Sequence, residues 1–194
     1  MTLAINTQRR LGGWLETLAR ALAYGGGALL VGMALVTVLS VLGRRLVGLG
    51  LGPIPGDFEL VELGCAIAVF AFLPLAQLKR SHVTVDVFLT RLPPRLFVLL
   101  GLLGDALMTL ASAVILWRFW LGFGEKFPYF SEPLRQSLSM GPKPFFPETT
   151  YELEIPIWIP YGLALIGALF FAVISAYTVW RSLNWLLQGQ EETP

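Results

Sequence analysis

The residue types that most often carry chemistry are scarce in this sequence and stand far apart. The chain has one histidine, His82, and one cysteine, Cys65. These counts exclude an internal disulfide, a metal site built on paired cysteines and the paired axial histidines of a haem-carrying bundle. One histidine, one cysteine and one acid within an apolar segment do not make a reactive constellation. The sequence therefore predicts no enzymatic activity and no cofactor.

The acid in question, Asp105, is the most costly residue of the chain. It is the one charge within residues 96–117, and a charge at the centre of a membrane-spanning helix costs at least about 2.5 kcal/mol. Gly101, Thr109 and Ser112 fall on the same helix face. Asp105 could be an ion or proton site, or it could lock helices together through hydrogen bonds. A transporter core normally shows several such groups and broken helices, so the structural role is favoured.

Long uncharged segments are the elements that must position these residues. Four segments of 23, 16, 22 and 26 residues contain no charge other than Asp105. About 20 apolar residues cross roughly 30 Å of hydrocarbon, and the second segment reaches that length when it begins at Leu60. Its Pro74 is tolerable because neighbouring helices can satisfy the freed carbonyl. The sequence predicts transmembrane helices at about 21–43, 60–78, 96–117 and 157–180.

Composition supports the same fold class. The chain is 55% hydrophobic and 14% charged, with a mean hydropathy of +0.68, whereas soluble domains carry about 25% charged residues. All six tryptophans lie at or beyond the ends of the predicted spans, where indole prefers the headgroup boundary. A net charge of +1 gives no reason to expect a nucleic-acid partner. We predict an all-α membrane protein, with residues 1–194 as one integral membrane domain surrounded by membrane lipids.

Two connections carry further predictions. Between the second and third spans, Val85, Phe88 and Leu89 gather on one side if the segment is helical, and Pro93 ends it, which predicts a short interfacial helix. The loop at 118–155 is rich in proline and aromatic residues, so it cannot form one long helix. This loop either folds onto its own bundle or provides a docking surface for another protein.

A stripe of small residues marks the fourth span. It consists of Ala164, Ala168, Ala172 and Ala176, each four residues after the last. Such a stripe lets another helix approach closely in lipid. The alternative is that alanine is simply common in spans, and the sequence leaves this open.

Basic residues predict the orientation. Eight lysines and arginines would lie on the side of both termini and six on the other side. The short connection at 79–95 is the densest basic segment, and such segments favour the cytoplasm. We therefore expect both termini in the cytoplasm and the 118–155 loop in the periplasm.

Several segments together resemble the small permease subunit of TRAP transporters, the DctQ-like family of tripartite ATP-independent periplasmic carriers. The segments are residues 41–45 (VLGRR), 53–62 (PIPGDFELVE), 80–86 (RSHVTVD), 149–150 (TT) and 153–161 (LEIPIWIPY). The resemblance rests on their order, their spacing and their coincidence with four spans.

The resemblance implies a bacterial inner-membrane protein with two partners. In this family a large permease subunit moves a substrate, usually an organic acid, with a sodium gradient, and a periplasmic binding protein delivers that substrate. The small subunit braces the large one and offers periplasmic surface to the binding protein. An assembly or anchoring subunit of an unrelated inner-membrane complex would share every physical feature except the motif match.

The motif residues are candidates for a subunit or lipid interface, as are Asp105 and the alanine stripe. Glu59, Glu62, His82 and Asp86 match the family motif, and Arg44 and Arg45 match the basic end of the first span. If their segment is helical, His82 and Asp86 lie one turn apart, so a contact between them could hold that segment.

Overall fold

The computed structural model describes residues 5–81 and 94–188, and these residues form an all-helical bundle. Its helices are α1 (Ile5–Arg45), α2 (Asp57–Leu78), α3 (Pro94–Lys126), the short α4 (Glu132–Ser137) and α5 (Trp158–Gln188). The four long helices are each long and apolar enough to cross a membrane. In the described ranges no strand occurs beyond one isolated bridge between Thr149 and Pro156. The predicted all-α class is confirmed, as is the presence of four helices with the length and apolar composition of membrane spans.

The helices extend past the predicted spans, because an apolar window marks where lipid lies and not where a helix ends. α1 begins at Ile5, well before residue 21. α3 continues to Lys126 instead of ending at 117, and it stops just before Pro128, since proline disfavours helix at the residue before it. The connecting loop is therefore 127–157. The predicted interfacial helix, with His82 and Asp86, lies outside the described residues.

Small residues bring the long helices together. α2 packs against α1 and against α5, and α3 packs against α5. Gly26 of α1 faces Ala71, while Gly167 of α5 faces the carbonyl of Phe70. Close backbone approach of this kind is how helices associate in lipid, where no hydrophobic drive acts between them.

The bundle has two ends that differ in character. The terminal end comprises the start of α1, the end of α2, the start of α3 and the end of α5; the loop end carries residues 46–56 and 127–157. At the terminal end the hydroxyl of Tyr177 donates to the carbonyl of Gln8 at 3.2 Å. Ala19, Leu78 and Ile174 form a buried apolar cluster there, so α1, α2 and α5 close on one another.

Replacing Gly167 with alanine should weaken the α2–α5 contact. A Cβ at this position would lie 2.5 Å from the carbonyl oxygen of Phe70, so a backbone must move. We expect the free energy of unfolding to fall by about 1–3 kcal/mol, the usual cost of overpacking. The matched control is Gly104→Ala on α3, where a Cβ meets open space and helix propensity favours alanine by about 1 kcal/mol. Thermal unfolding in detergent measures both, and equal losses in the two variants would contradict this account.

Candidate functional site

Asp105 forms a buried ion pair near the terminal end. The Nη2 of Arg80 donates to Asp105 Oδ2 at 2.6 Å, and the hydroxyl of Ser182 donates to the same oxygen. Gln77 Nε2 approaches Oδ1 at 3.4 Å. The residue Asp105 is 5% exposed, whereas the Arg80 side chain is 27% exposed. The charge of a buried carboxylate is thus met by a partly exposed guanidinium.

The groups around this pair join three helices. Gln77 of α2 also donates to Thr178 of α5 at 3.0 Å, and Arg80 donates to Ser182 at 2.6 Å. The Arg80 guanidinium lies 5.0 Å from the ring centroid of Trp185. Because α3 contributes Asp105 and α5 contributes the hydroxyls and the indole, the cluster links α2, α3 and α5 by polar contacts.

The neighbours expected from the helix face take different roles. A Cβ on Gly101 would lie 3.3 Å from Arg80 Nη1, so this glycine leaves room for the guanidinium. The hydroxyl of Thr109 donates to the Asp105 backbone carbonyl at 2.8 Å, and that of Ser112 donates to the Thr109 carbonyl at 2.9 Å. These two hydroxyls therefore stay within α3. Sequence reasoning did not pair Arg80 with Asp105. The available signal was the position of Arg80, two residues beyond the predicted end of the second span.

Arg44 ties the end of α1 to the start of α2 at the loop end. Its Nη2 donates to Asp57 Oδ2 at 2.6 Å, and Ser40 donates to the same oxygen at 2.5 Å. The Arg44 guanidinium lies 5.1 Å from the ring centroid of Phe58. Its neighbour Arg45 is exposed as well, but it makes no hydrogen bond or ion pair with any residue that the structure describes. Of the two adjacent arginines, Arg44 is thus the one that links α1 to α2.

Glu59 attaches the long loop to α2. Its carboxylate accepts the backbone N–H groups of Glu152 at 2.8 Å and Leu153 at 3.1 Å. In return the Glu152 carboxylate accepts the backbone N–H of Gly56. Gly56 has φ +70°, and the Leu153 side chain occupies the space where a Cβ would lie. Glu62, by contrast, is exposed, so the two motif acids have separate environments.

Arg135 organises the loop and was missed by sequence reasoning, which counted it only as a loop charge. Its side chain is 0% exposed, and all its donor nitrogens reach backbone carbonyls within 3.4 Å. The acceptors are Gly124, Phe127, Tyr129, Met140, Gly141 and Pro142. A five-donor guanidinium suits such a cage. The available signal was the composition of the loop, which is rich in aromatic residues and proline but too short to build an apolar core. Such a loop needs a side chain with several donors to bind its backbone carbonyls.

The loop folds onto the bundle and also presents an aromatic rim. Trp120 Nε1 donates to the Leu138 carbonyl at 2.8 Å. Facing outward, Phe145 and Tyr151 are 91% and 95% exposed, and Phe146 packs edge-on against Phe145 with centroids 4.7 Å apart. We define the aromatic rim as Phe145, Phe146 and Tyr151.

The alanine stripe divides along its length. Ala164 and Ala168 are buried within this chain, whereas Ala172 is half-buried and Ala176 is exposed. The first two therefore pack inside the bundle. An interface with another chain along this stripe stays a prediction for Ala172 and Ala176.

Four apolar helices tied together by buried polar contacts define a multi-pass membrane protein. The family model described as tripartite ATP-independent periplasmic transporters, DctQ component, matches residues 33–184. The chain belongs to this family, the small permease component of TRAP transporters, which confirms the resemblance seen in its segments. Neither a curated protein nor a solved structure matches the chain.

Proposed function

We propose that this chain is the small inner-membrane subunit that braces the large permease subunit of a TRAP transporter. The observation that carries the proposal is the family match over residues 33–184. The bundle supports a bracing role, because Asp105 is neutralised by Arg80 at 2.6 Å and serves to join helices. In this proposal the large subunit moves an organic acid with an ion gradient.

The two ends of the bundle have different roles in this proposal. The terminal end faces the cytoplasm, in keeping with its basic residues. The loop end faces the periplasm, where the aromatic rim contacts the binding protein that delivers the substrate. Support comes from the Arg135 cage, which holds the loop in one arrangement, since a pre-organised surface loses less entropy on binding.

Uptake into proteoliposomes tests the proposal. The probe is the ligand that the binding protein retains on purification, added with that binding protein to vesicles under a sodium gradient. We expect uptake when this chain and the large permease are both present, and none with this chain alone. Full uptake by the large permease without this chain would contradict the bracing role. Sodium-dependent uptake by this chain alone would contradict it as well.

A further inference from the structure

The outward face of α2 is distinct from the faces that pack in the bundle. Gly64, Ala68 and Ala71 are buried. On the other side, exposed residues recur at intervals of three or four, which places them on one face. We define the outer α2 face as Phe58, Glu62, Ala66 and Val69, all of which are exposed.

Glu62 makes no hydrogen bond or ion pair with any residue in the ranges 5–81 and 94–188, unlike Glu59, which holds two backbone N–H groups of the loop. Both acids belong to the same motif segment and lie three residues apart. Glu59 therefore holds the loop within this chain, whereas Glu62 faces outward.

The depth of Glu62 makes an unpaired carboxylate costly there. The uncharged part of α2, residues 63–78, is about 24 Å long at 1.5 Å per residue. The hydrocarbon core is roughly 30 Å thick, so the residues flanking this segment lie at or inside the hydrocarbon boundary. At the far end, Lys79 is paired with Glu16 and the next residue, Arg80, with Asp105. Glu62 at the near end has no such partner within the described residues, and a charge facing lipid tails is unfavourable.

We propose that the outer α2 face is a contact surface for the large permease subunit, with Glu62 pairing with a lysine or arginine of that subunit. This inference rests on the proposed function, and it identifies the surface of this chain that contacts the large permease subunit. Ala66 lets a helix approach closely. The Arg44 guanidinium lies 5.1 Å from the ring centroid of Phe58 and holds this side chain in place. A positioned aromatic side chain is a favoured interface anchor.

Charge variants test the proposal in the co-expressed complex. We expect Glu62→Lys to reduce co-elution of the large permease at least about tenfold, because like charges would then meet across the contact, and Glu62→Gln to reduce it less. The matched control is Glu125→Lys, an exposed acid at the loop-end terminus of α3, which should leave co-elution unchanged. Reversing the partner cation in the large permease should restore co-elution with Glu62→Lys.

A photo-crosslinking side chain at Ala66 gives a second measurement that does not change the charge. We expect it to capture the large permease, and capture of lipid alone would overturn the proposal. Wild-type co-elution by Glu62→Lys, or an equal loss in Glu125→Lys, would also overturn it. These outcomes are separable from failure of the proposed function, in which the wild-type chain itself would not co-elute with a large permease.

Discussion

Replacing Asp105 with leucine should lower the free energy of unfolding by about 3 kcal/mol, the lower end of the cost of removing one partner from a buried ion pair, because the Arg80 side chain left behind is partly exposed. The substitution would leave the Arg80 guanidinium, whose side chain is 27% exposed, without its carboxylate. It would also remove the acceptor of the Ser182 hydroxyl. Thermal and denaturant unfolding of the purified chain in detergent measure the loss.

Two further variants identify the cause of that loss. Arg80→Met combined with Asp105→Leu should recover most of the stability, because replacing a whole buried pair by apolar residues is often neutral. Asp105→Asn should fall between the wild type and Asp105→Leu, since an amide oxygen can still accept from Ser182. If the double variant lost the sum of the two single losses, the pair would not be the stabilising unit. If Asp105→Asn kept stability and assembly but abolished uptake, Asp105 would be an ion or proton site.

Replacing Arg135 with methionine should open the 127–157 loop while the four long helices remain packed. The variant leaves six backbone carbonyls without their donor, and each buried unsatisfied group costs about 1–3 kcal/mol. Amide hydrogen exchange in the loop should speed up at least about tenfold, since about 1.4 kcal/mol already gives that factor. Exchange in α2 and α5 should change far less.

The controls for Arg135 separate shape from charge. Arg135→Lys keeps the charge but offers three donors from one point instead of a planar fork, so we expect intermediate exchange. Lys143 is an exposed cation of the same loop, and Lys143→Met should leave exchange unchanged. A loop equally protected in Arg135→Met and in the wild type would show that the aromatic contacts alone hold it.

The spans could be predicted from sequence because lipid imposes one strong requirement, a long uncharged segment, and tryptophans mark its ends. The helix ends could not, since α3 continues past its uncharged segment to Lys126 and stops only before Pro128. The favoured structural role of Asp105 came from the scarcity of other charges. The position of Arg80 just past the second span made it a candidate partner, but the sequence could not show the pairing itself, because the pairing depends on how far one side chain reaches back into the bundle.

The loop-end contacts depend on information that spacing does not carry. Glu59 and Glu62 lie three residues apart and share one motif, yet only Glu59 meets the loop backbone, because the path of residues 148–157 decides which face is covered. The same holds for the alanine stripe. A four-residue period indicates a packing face, but it does not distinguish this chain's own helices, which bury Ala168, from those of a partner.

Isolation of this chain from its native membranes in mild detergent tests the bracing role most directly. If this chain braces the large subunit, a many-span TRAP permease subunit should co-elute with it in fixed proportion, identified by mass spectrometry of the purified peak. Elution alone, or with the subunits of an unrelated membrane complex, would contradict it.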